Sequence, residues 1–136
     1  MSNYLKGKVV VVTGAAGGFG RLIALKSSAL GASVVCSDLD ESTLNLVVQE
    51  AATDRVIGLT ADVTNLSDLQ EIVEGTIERL GRIDVMINNA GIMPLAFYQD
   101  HEKAIEAWHN CIDINIKGVL NGIVAVYDQM ISQGRG

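Results

Sequence analysis

An unbroken apolar run followed at once by closely spaced glycines, within residues 9–20, most limits what this chain can fold into. Four consecutive valines open the stretch, and such a β-branched run is typical of a strand buried on both faces of a parallel sheet. The residues after the glycines recur at helical spacing and predict a helix over residues 21–30. Its apolar face is expected to comprise Phe19, Leu22, Ile23, Ala29 and Leu30. Strand, glycine-rich turn and helix in this order are the context of a dinucleotide-binding turn.

Three glycines of this turn would serve separate purposes. Gly14 lets the chain leave the strand tightly, and Gly18 lets the backbone approach a pyrophosphate where a Cβ atom would intrude. Gly20 lets the helix pack closely on the strand. The unpaired N–H groups and the positive end of the helix dipole would then face the phosphates. A turn that merely needs glycines is the alternative, and a lone glycine pattern does not decide between the two.

Charge and composition narrow the class of ligand. The 136 residues carry a net charge of −6, which argues against binding to the backbone of DNA or RNA. A small anionic cofactor stays compatible, because a helix N-terminus can hold phosphates without basic side chains. Hydrophobic residues make up 49% of the chain, enough for the core of a single domain over residues 1–136.

The sequence predicts neither an exported protein, nor a membrane protein, nor a metal centre. The first eight residues are polar, and no apolar stretch approaches membrane-spanning length. Cys36 and Cys111 lack metal-binding spacing and are expected to be reduced thiols of a cytoplasmic protein. His101 and His109 have no second ligand at a useful spacing, so we expect surface or capping histidines.

Alternating strands and helices predict a doubly wound α/β sheet of parallel strands. Further strands are expected at residues 33–37, 56–61 and 83–88, and a helix at residues 41–52. Another helix follows Thr64 or Asn65, one of which would cap it. Its buried stripe is expected to comprise Leu66, Leu69, Val73, Ile77 and Leu80.

An acidic residue, Asp38, ends the second predicted strand, 24 residues after Gly14. At about this distance a carboxylate accepts hydrogen bonds from both ribose hydroxyls of NAD, and it would repel the 2′-phosphate of NADP. No Lys or Arg lies in the glycine turn before Gly20 or directly after Asp38 to hold such a phosphate. Asp38 therefore favours NAD. A helix-capping role is the alternative, but Asp40 or Ser42 can fill it.

One long helix is predicted from about Glu102 to the last few residues, and it is too apolar to bury only one face. Its apolar surface would comprise Ile105, Trp108, Ile112, Ile116, Val119, Leu120, Ile123, Val124, Tyr127 and Met130. One face would cover the sheet. The other would form a subunit interface or pack against further chain.

Five motifs in register resemble those of the short-chain dehydrogenase/reductase family, and the resemblance covers the whole chain. They are Thr13-Gly14-x-x-x-Gly18-x-Gly20, Asp38, Asp62-Val63, Asn88-Asn89-Ala90-Gly91 and Asp113-x-Asn115-x-x-Gly118. The glycines alone also fit the family's larger extended members, through Gly14, Gly17 and Gly20. The tetrapeptide that begins at Asn88 resembles the compact single-domain branch.

The resemblance implies a Rossmann-type sheet of strand order 3-2-1-4 and an NAD-dependent oxidoreductase acting on an alcohol or carbonyl substrate. It also implies a homo-oligomer formed through residues 108–130. The cofactor-binding residues would be Gly14, Gly18, Phe19, Gly20, Asp38, Asp62, Val63, Asn89, Ala90 and Gly91. The glycine turn would line the pyrophosphate, Asp38 would hold the adenosine ribose, and Asp62 with the Val63 backbone would contact adenine. The Asn amides would also hold neighbouring strands together.

Asn115 is the position at which the resemblance implies a part in catalysis. Asn has poor helix propensity, yet Asn115 lies in the middle of the predicted long helix. In the family the matching Asn perturbs the helix, and its backbone carbonyl holds a water molecule of a proton relay. A polar residue satisfied locally is the alternative.

The family's catalytic Ser and Tyr-x-x-x-Lys set is not found in this sequence. Tyr98 and Tyr127 lack a Lys four residues later, and Tyr4 precedes the first strand. In the order 3-2-1-4 the fourth strand would be an outer edge, although it lacks the charges and prolines that protect edges. We therefore expect a cofactor-binding portion of a longer enzyme, truncated before a fifth strand and inactive alone. A non-catalytic nucleotide-binding or dimerisation module that truly ends at Gly136 is the alternative. Another Rossmann-type enzyme, such as a methyltransferase, is disfavoured by the tetrapeptide.

Overall fold

The computed structural model describes residues 4–136, whose four strands form one parallel sheet in the order β3-β2-β1-β4. The strands are β1 (Val9–Thr13), β2 (Ser33–Asp38), β3 (Val56–Thr60) and β4 (Val85–Ile87). The helices are α1 (Gly18–Ala29), α2 (Glu41–Ala51), α3 (Leu66–Leu80), α4 (His101–Ile112) and α5 (Gly118–Gln133). The predicted strand order and Rossmann-type architecture are confirmed.

The side chains of β1 alternate between two hydrophobic clusters, one on each face of the sheet. Val10 and Val12 belong to the cluster on the side of α1 and α2, together with Ala24, Val34, Cys36, Leu44 and Val47. Val11 belongs to the cluster on the side of α3 and α5, together with Val35, Leu69, Ile72, Val73 and Val126. Burial on both faces explains the run of valines. Burial also raises the pKa of the Cys36 thiol to about 12, so this cysteine is a protonated core residue at neutral pH.

Helix α1 buries a different face from the one predicted. It begins at Gly18 rather than Arg21, and its buried residues are Gly20, Ala24, Ser27 and Ser28. The predicted apolar face is wrong for Phe19, Leu22 and Leu30, which are 81%, 46% and 57% exposed, and for the exposed Ala29. Ile23, its remaining member, is half-buried and packs against the core as predicted. The most buried residues of α1 are small, and at the start of the helix the approach to β1 is too close for any side chain. A Cβ atom on Gly20 would collide with the Gly14 carbonyl oxygen.

The predicted single long helix is wrong in one respect, since a π-helical turn interrupts it. This turn spans Asp113–Lys117 and joins α4 to α5 without a loop. α5 buries Gly118, Gly122 and Val126 against the rest of the fold. The large apolar residues on the other side of the two helices are exposed: Ile105, Ile112, Ile116, Leu120, Ile123, Val124, Tyr127 and Ile131. The helix pair therefore has a second apolar face, as predicted, whose covering partner stays a prediction.

Strand β4 is shorter than predicted, and a side chain binds the backbone just before its N-terminal end. The Gln133 amide accepts a hydrogen bond from the Ile83 N–H (3.0 Å) and donates one to the Ile83 carbonyl (2.8 Å). β3 likewise ends one residue early, at Thr60. In α3 the buried residues include Ile72 and Thr76, which the predicted stripe omitted.

A buried carboxylate fastens the start of β4 to β1. The Asp84 side chain is 3% exposed, and its Oδ2 accepts hydrogen bonds from the Val9 N–H and the Arg82 Nε, both at 2.8 Å. The Lys8 Nζ lies 3.8 Å from its Oδ1. Burial is the largest influence on the pKa of Asp84 and raises it. The Val9 N–H, the Arg82 hydrogen bond and the charges of Arg82 and Lys8 together outweigh burial and hold this pKa below its ordinary value.

We expect Asp84→Asn to lower the free energy of unfolding by about 1–3 kcal/mol at pH 7, because it weakens charge-assisted hydrogen bonds in a buried site. A depressed folded-state pKa contributes stability above the unfolded-state pKa of about 3.9, and this stability is lost as the pH falls through the folded-state value. Urea unfolding of both proteins at several pH values should show the difference shrinking below about pH 4. Asp128→Asn, at an exposed position of α5, is the control. A pH-independent difference would contradict the role of the charge.

Candidate cofactor-binding site

The carboxyl ends of the strands open onto a cleft of about 420 Å³. Ligands of open α/β sheets bind at this edge. The cleft is lined by Gly14, Gly17, Gly18, Phe19, Asp38, Leu39, Ala61, Asp62, Val63, Asn89, Ala90, Gly91, Ile92 and Ile114. The fold thus brings nine of the ten predicted cofactor-binding residues to one surface, and the tenth, Gly20, lies in the first turn of α1.

The turn between β1 and α1 presents bare backbone to the cleft. Gly14 and Gly18 have φ angles of +65° and +52°, which favour glycine. A Cβ atom on Gly14 would lie 2.8 Å from the Ala90 Cα, whereas no described atom lies within 4 Å of a Cβ built on Gly18. The first N–H groups of α1 have no acceptor within the helix, and its first turn contains no acidic residue. Such a helix start is suited to bind an anion.

Thr13 and Asn89 lock β1 to the end of β4 at the floor of the cleft. The Thr13 Oγ1 accepts hydrogen bonds from the N–H groups of Asn89 and Ala90, both at 3.1 Å. The Asn89 Nδ2 donates to the carbonyls of Thr13 (3.0 Å) and Gly14 (3.2 Å). The Asn89 amide therefore holds two strands together, which is the structural role predicted for it.

One end of the cleft carries two carboxylates and no cation. Asp38 accepts hydrogen bonds from the N–H groups of Ala16 (2.9 Å) and Leu39 (2.8 Å). The Asp62 Oδ1 accepts the N–H and the hydroxyl of Thr64, at 2.9 and 2.7 Å. Each carboxylate oxygen keeps further acceptor capacity. Within residues 4–136 no Lys or Arg lines the cleft, so this end is suited to bind hydrogen-bond donors rather than a phosphate.

Asp40, and not Asp38, caps α2. The Asp40 Oδ1 accepts hydrogen bonds from the Ser42 hydroxyl (2.5 Å) and the Thr43 N–H (3.1 Å). The hydrogen bond from the Ser42 hydroxyl, and to a smaller extent the one from the Thr43 N–H, hold the pKa of Asp40 below its ordinary value. The helix-capping alternative for Asp38 is therefore not realised.

Asn115 lies within the π-helical turn and binds the loop that follows β4. Its Oδ1 accepts the Ile92 N–H and its Nδ2 donates to the Ile92 carbonyl, both at 2.8 Å, while the Cys111 Sγ lies 3.4 Å from the same Nδ2. The helix is distorted at this residue, and its amide is satisfied by Ile92, 23 positions earlier, and by Cys111, one turn earlier. The part in a proton relay and the alternative of a merely satisfied polar residue both stay predictions.

Four apolar residues of the cleft, Leu39, Ala61, Ile92 and Ile114, were not predicted as site residues from the sequence. Leu39 is 66% exposed beside Asp38, and its place directly after a strand-ending acid is the signal that could have found it. Ile92 directly follows the Asn-Asn-Ala-Gly tetrapeptide. Ile114 lies in the π-helical turn, which helical spacing does not predict.

The residues that the structure describes contain neither a metal-site cluster nor a membrane-spanning helix. Within residues 4–136, no three His, Cys, Asp or Glu side chains are grouped as a metal site would require. No helix among these residues has the length and apolar character needed to span a membrane. Tyr98 and Tyr127 do not line the cleft.

The family profile described as short chain dehydrogenase matches residues 8–136. The chain belongs to the short-chain dehydrogenase family. It spans about half the length of the curated relatives it matches. An uncharacterized oxidoreductase from Listeria monocytogenes is 40% identical over 137 residues, which cover 97% of this chain and 53% of that protein. A 3-oxoacyl-acyl-carrier-protein reductase from Thermotoga maritima is 37% identical over 97% of this chain and 54% of its own length.

Solved structures of other short-chain dehydrogenases have the same fold. One from Burkholderia phymatum, determined in complex with NAD, is 33% identical with a TM-score of 0.90 and covers 100% of this chain and 48% of its own. One from Mycobacterium marinum is 29% identical with a TM-score of 0.91, covering 100% of this chain and 57% of its own. The Rossmann-type architecture is therefore that of the family.

Proposed function

We propose that this chain binds NAD in the cleft and forms the cofactor-binding part of an oxidoreductase that acts on small alcohol or carbonyl substrates. One observation carries the proposal. The bare glycine turn at the start of α1 and the Asp38 carboxylate line the same cleft, which has no Lys or Arg in its described lining. The Burkholderia phymatum protein solved with NAD supports the choice of cofactor.

The residues of the cleft fit an extended dinucleotide. Backbone N–H groups of the turn containing Gly14 and Gly18 would hold the diphosphate, since the space beside Gly18 is free of described atoms. Asp38 would hold the adenosine ribose, and Asp62 with the Val63 backbone would contact the adenine edge. Phe19 and Gly20 would complete the diphosphate turn, while Asn89, Ala90 and Gly91 would line the rest of the cofactor. When bound, NAD supplies a nicotinamide ring that accepts or gives up a hydride.

The acidic end of the cleft should select NAD over NADP. A 2′-phosphate would bring about 1.5–2 negative charges next to Asp38, by analogy with other phosphomonoesters at neutral pH. Like charges at this separation repel, and no basic residue of the described lining offsets them. We expect isothermal titration calorimetry to give an NAD dissociation constant at least about tenfold below that of NADP. Tighter NADP binding would overturn the role of Asp38, and binding of neither dinucleotide would overturn the proposed function.

Chemistry on the substrate requires more than the residues described. Asn115 would contribute a backbone carbonyl that holds a water molecule of a proton relay, but neither Tyr98 nor Tyr127 lines the cleft. We therefore propose that residues 1–136 alone bind NAD without turning substrate over, and that catalytic Ser, Tyr and Lys groups lie in the length that the relatives have in addition. A non-catalytic nucleotide-binding or dimerisation module is the alternative. NADH production by residues 1–136 with a panel of alcohols would contradict both.

We also propose that the protein forms a homo-oligomer and is cytoplasmic. The exposed apolar face of α4 and α5, which includes Ile112, Leu120 and Tyr127, would be buried between subunits of a homo-oligomer. Two cysteines without a disulfide, Cys36 and Cys111, agree with a cytoplasmic protein. Sedimentation of the purified protein tests the oligomer, and a strictly monomeric species would contradict it.

A further inference from the structure

The loop after β3 carries one wall of the cleft, and its local hydrogen bonds hold only part of it. The Asp62 N–H donates to the Asp68 Oδ2 (3.0 Å), and the Thr64 N–H donates to the Asp62 Oδ1 (2.9 Å). These bonds join residues at most six positions apart. They orient the Asp62 side chain and the N–H side of the Val63–Thr64 peptide unit. The carbonyl side of that peptide unit needs a donor from elsewhere.

The donor comes from α5. The Asn121 Nδ2 donates to the Val63 carbonyl at 2.9 Å, across 58 residues of sequence. One turn earlier, Gly118 brings the helix backbone against the Val63 side chain, because a Cβ atom there would lie 2.7 Å from the Val63 Cγ2. Both sides of one peptide unit are thus held, the N–H by Asp62 and the carbonyl by Asn121.

Asn121 is an unusual choice for its position. It lies within a helix, where Asn is less favourable than Ala or Leu by a few tenths of a kcal/mol. It is half-buried and lies on one face of α5 with the buried Gly118, three residues earlier, and the half-buried Ala125, four residues later. An apolar residue would satisfy packing on this face, so the amide is explained by the carbonyl it binds.

We propose that Asn121 is a positioning residue for recognition of the adenine base. By holding the Val63 carbonyl it orients Asp62 and Val63, which line the acidic end of the cleft where the adenosine is proposed to bind. The inference rests on the proposed NAD site and adds that base selectivity depends on α5. Asn121 does not line the cleft itself, so it acts through Val63.

The test compares two dinucleotides that differ only in the purine base: NAD and nicotinamide guanine dinucleotide. Asn121→Asp replaces the donor with an acceptor opposite the carbonyl, so the loop should move away from its present position. We expect the NAD dissociation constant to rise about tenfold. We also expect the ratio of the guanine to the adenine dissociation constant, measured by calorimetry, to fall to about one. Asn110→Asp, at an exposed position of α4, is the matched control and should leave both values unchanged.

A merely structural role would give a different result. General loosening of the fold would raise both dissociation constants by the same factor and leave their ratio unchanged. That outcome overturns the inference while the proposed function stands. Wild-type protein that binds neither dinucleotide overturns the proposed function, and this inference with it. Should Asn121→Asp not fold, Asn121→Leu removes the donor without adding charge. The ratio of the guanine to the adenine dissociation constant should then fall to about one in Asn121→Leu. In that variant hydrogen exchange at the Thr64 amide should accelerate at least about tenfold, and unchanged exchange would also overturn the inference.

Discussion

Gly20→Ala is expected to abolish NAD binding and to lower the free energy of unfolding by about 3 kcal/mol. The added Cβ atom would collide with the Gly14 carbonyl oxygen and lie 2.6 Å from the Asn89 Nδ2. Neither atom can retreat cheaply, because the first is backbone of the glycine turn and the second binds that backbone. The turn would therefore have to open. Urea unfolding measures the loss of stability, and calorimetric titration with NAD measures the loss of the site.

Gly17→Ala is the matched control within the same turn. Gly17 has an extended backbone, with φ at −160°, and no described atom lies within 4 Å of a Cβ atom built on it. Ala is only a poorer residue than Gly at the start of a helix, so the free energy of unfolding should change by less than about 1 kcal/mol. Equal losses in the free energy of unfolding of the two variants would show that the close approach of α1 to β1 is not what Gly20 provides.

Asp38→Ser should shift the preference between NAD and NADP by about a hundredfold. The substitution removes the hydrogen bonds of a charged acceptor to the ribose, worth about 1.5–3 kcal/mol, and it removes the charge that repels a 2′-phosphate. A combined change near 2.7 kcal/mol corresponds to two powers of ten in the ratio of dissociation constants. Titration of wild type and variant with both dinucleotides gives that ratio directly.

Asp40→Ser separates this effect from a general change of surface charge. Asp40 lies two residues further along and outside the cleft, and Ser is itself a good cap for α2. The variant therefore loses the same charge and keeps its helix. We expect its ratio of NADP to NAD dissociation constants to stay within about twofold of wild type, since exposed charges at this distance are screened. A shift as large as that of Asp38→Ser would refute a local role for Asp38.

The features that could be predicted from the sequence are those set by neighbouring residues. The valines of β1 and the glycines behind them specify a buried strand and a tight turn within a dozen positions. The position of Asp38 follows, because β2 lies beside β1 in register and ends at the same edge of the sheet. To predict that Asp38 lies in the cleft, it was enough to know that the strands are parallel.

The features that were missed depend on contacts between distant residues. Periodicity marked Phe19 and Leu22 as core residues, yet both are exposed, and the close approach of Gly20 to Gly14 leaves no space for a side chain at that contact. Periodicity also continues through the π-helical turn. The amide pairing of Asn115 with Ile92, 23 residues away, has no counterpart in the local pattern. Sequence spacing records which residues are apolar, whereas the distance between packed elements decides which of them fit.

The π-helical turn at Asp113–Lys117 determines which residues of α5 face the rest of the fold. Each residue of an α-helix advances the side-chain direction by about 100°, so one residue more or fewer in this turn would swing α5 by that angle. Gly118 and Gly122 would leave their contacts with Val63 and Asn88, and after a one-residue deletion Val119, Ile123 and Tyr127 would take the places of Gly118, Gly122 and Val126. The number of residues in the turn is therefore constrained more tightly than their identity. A substitution within the turn leaves the orientation of α5 unchanged, whereas a single insertion or deletion there would rotate the whole helix about its axis.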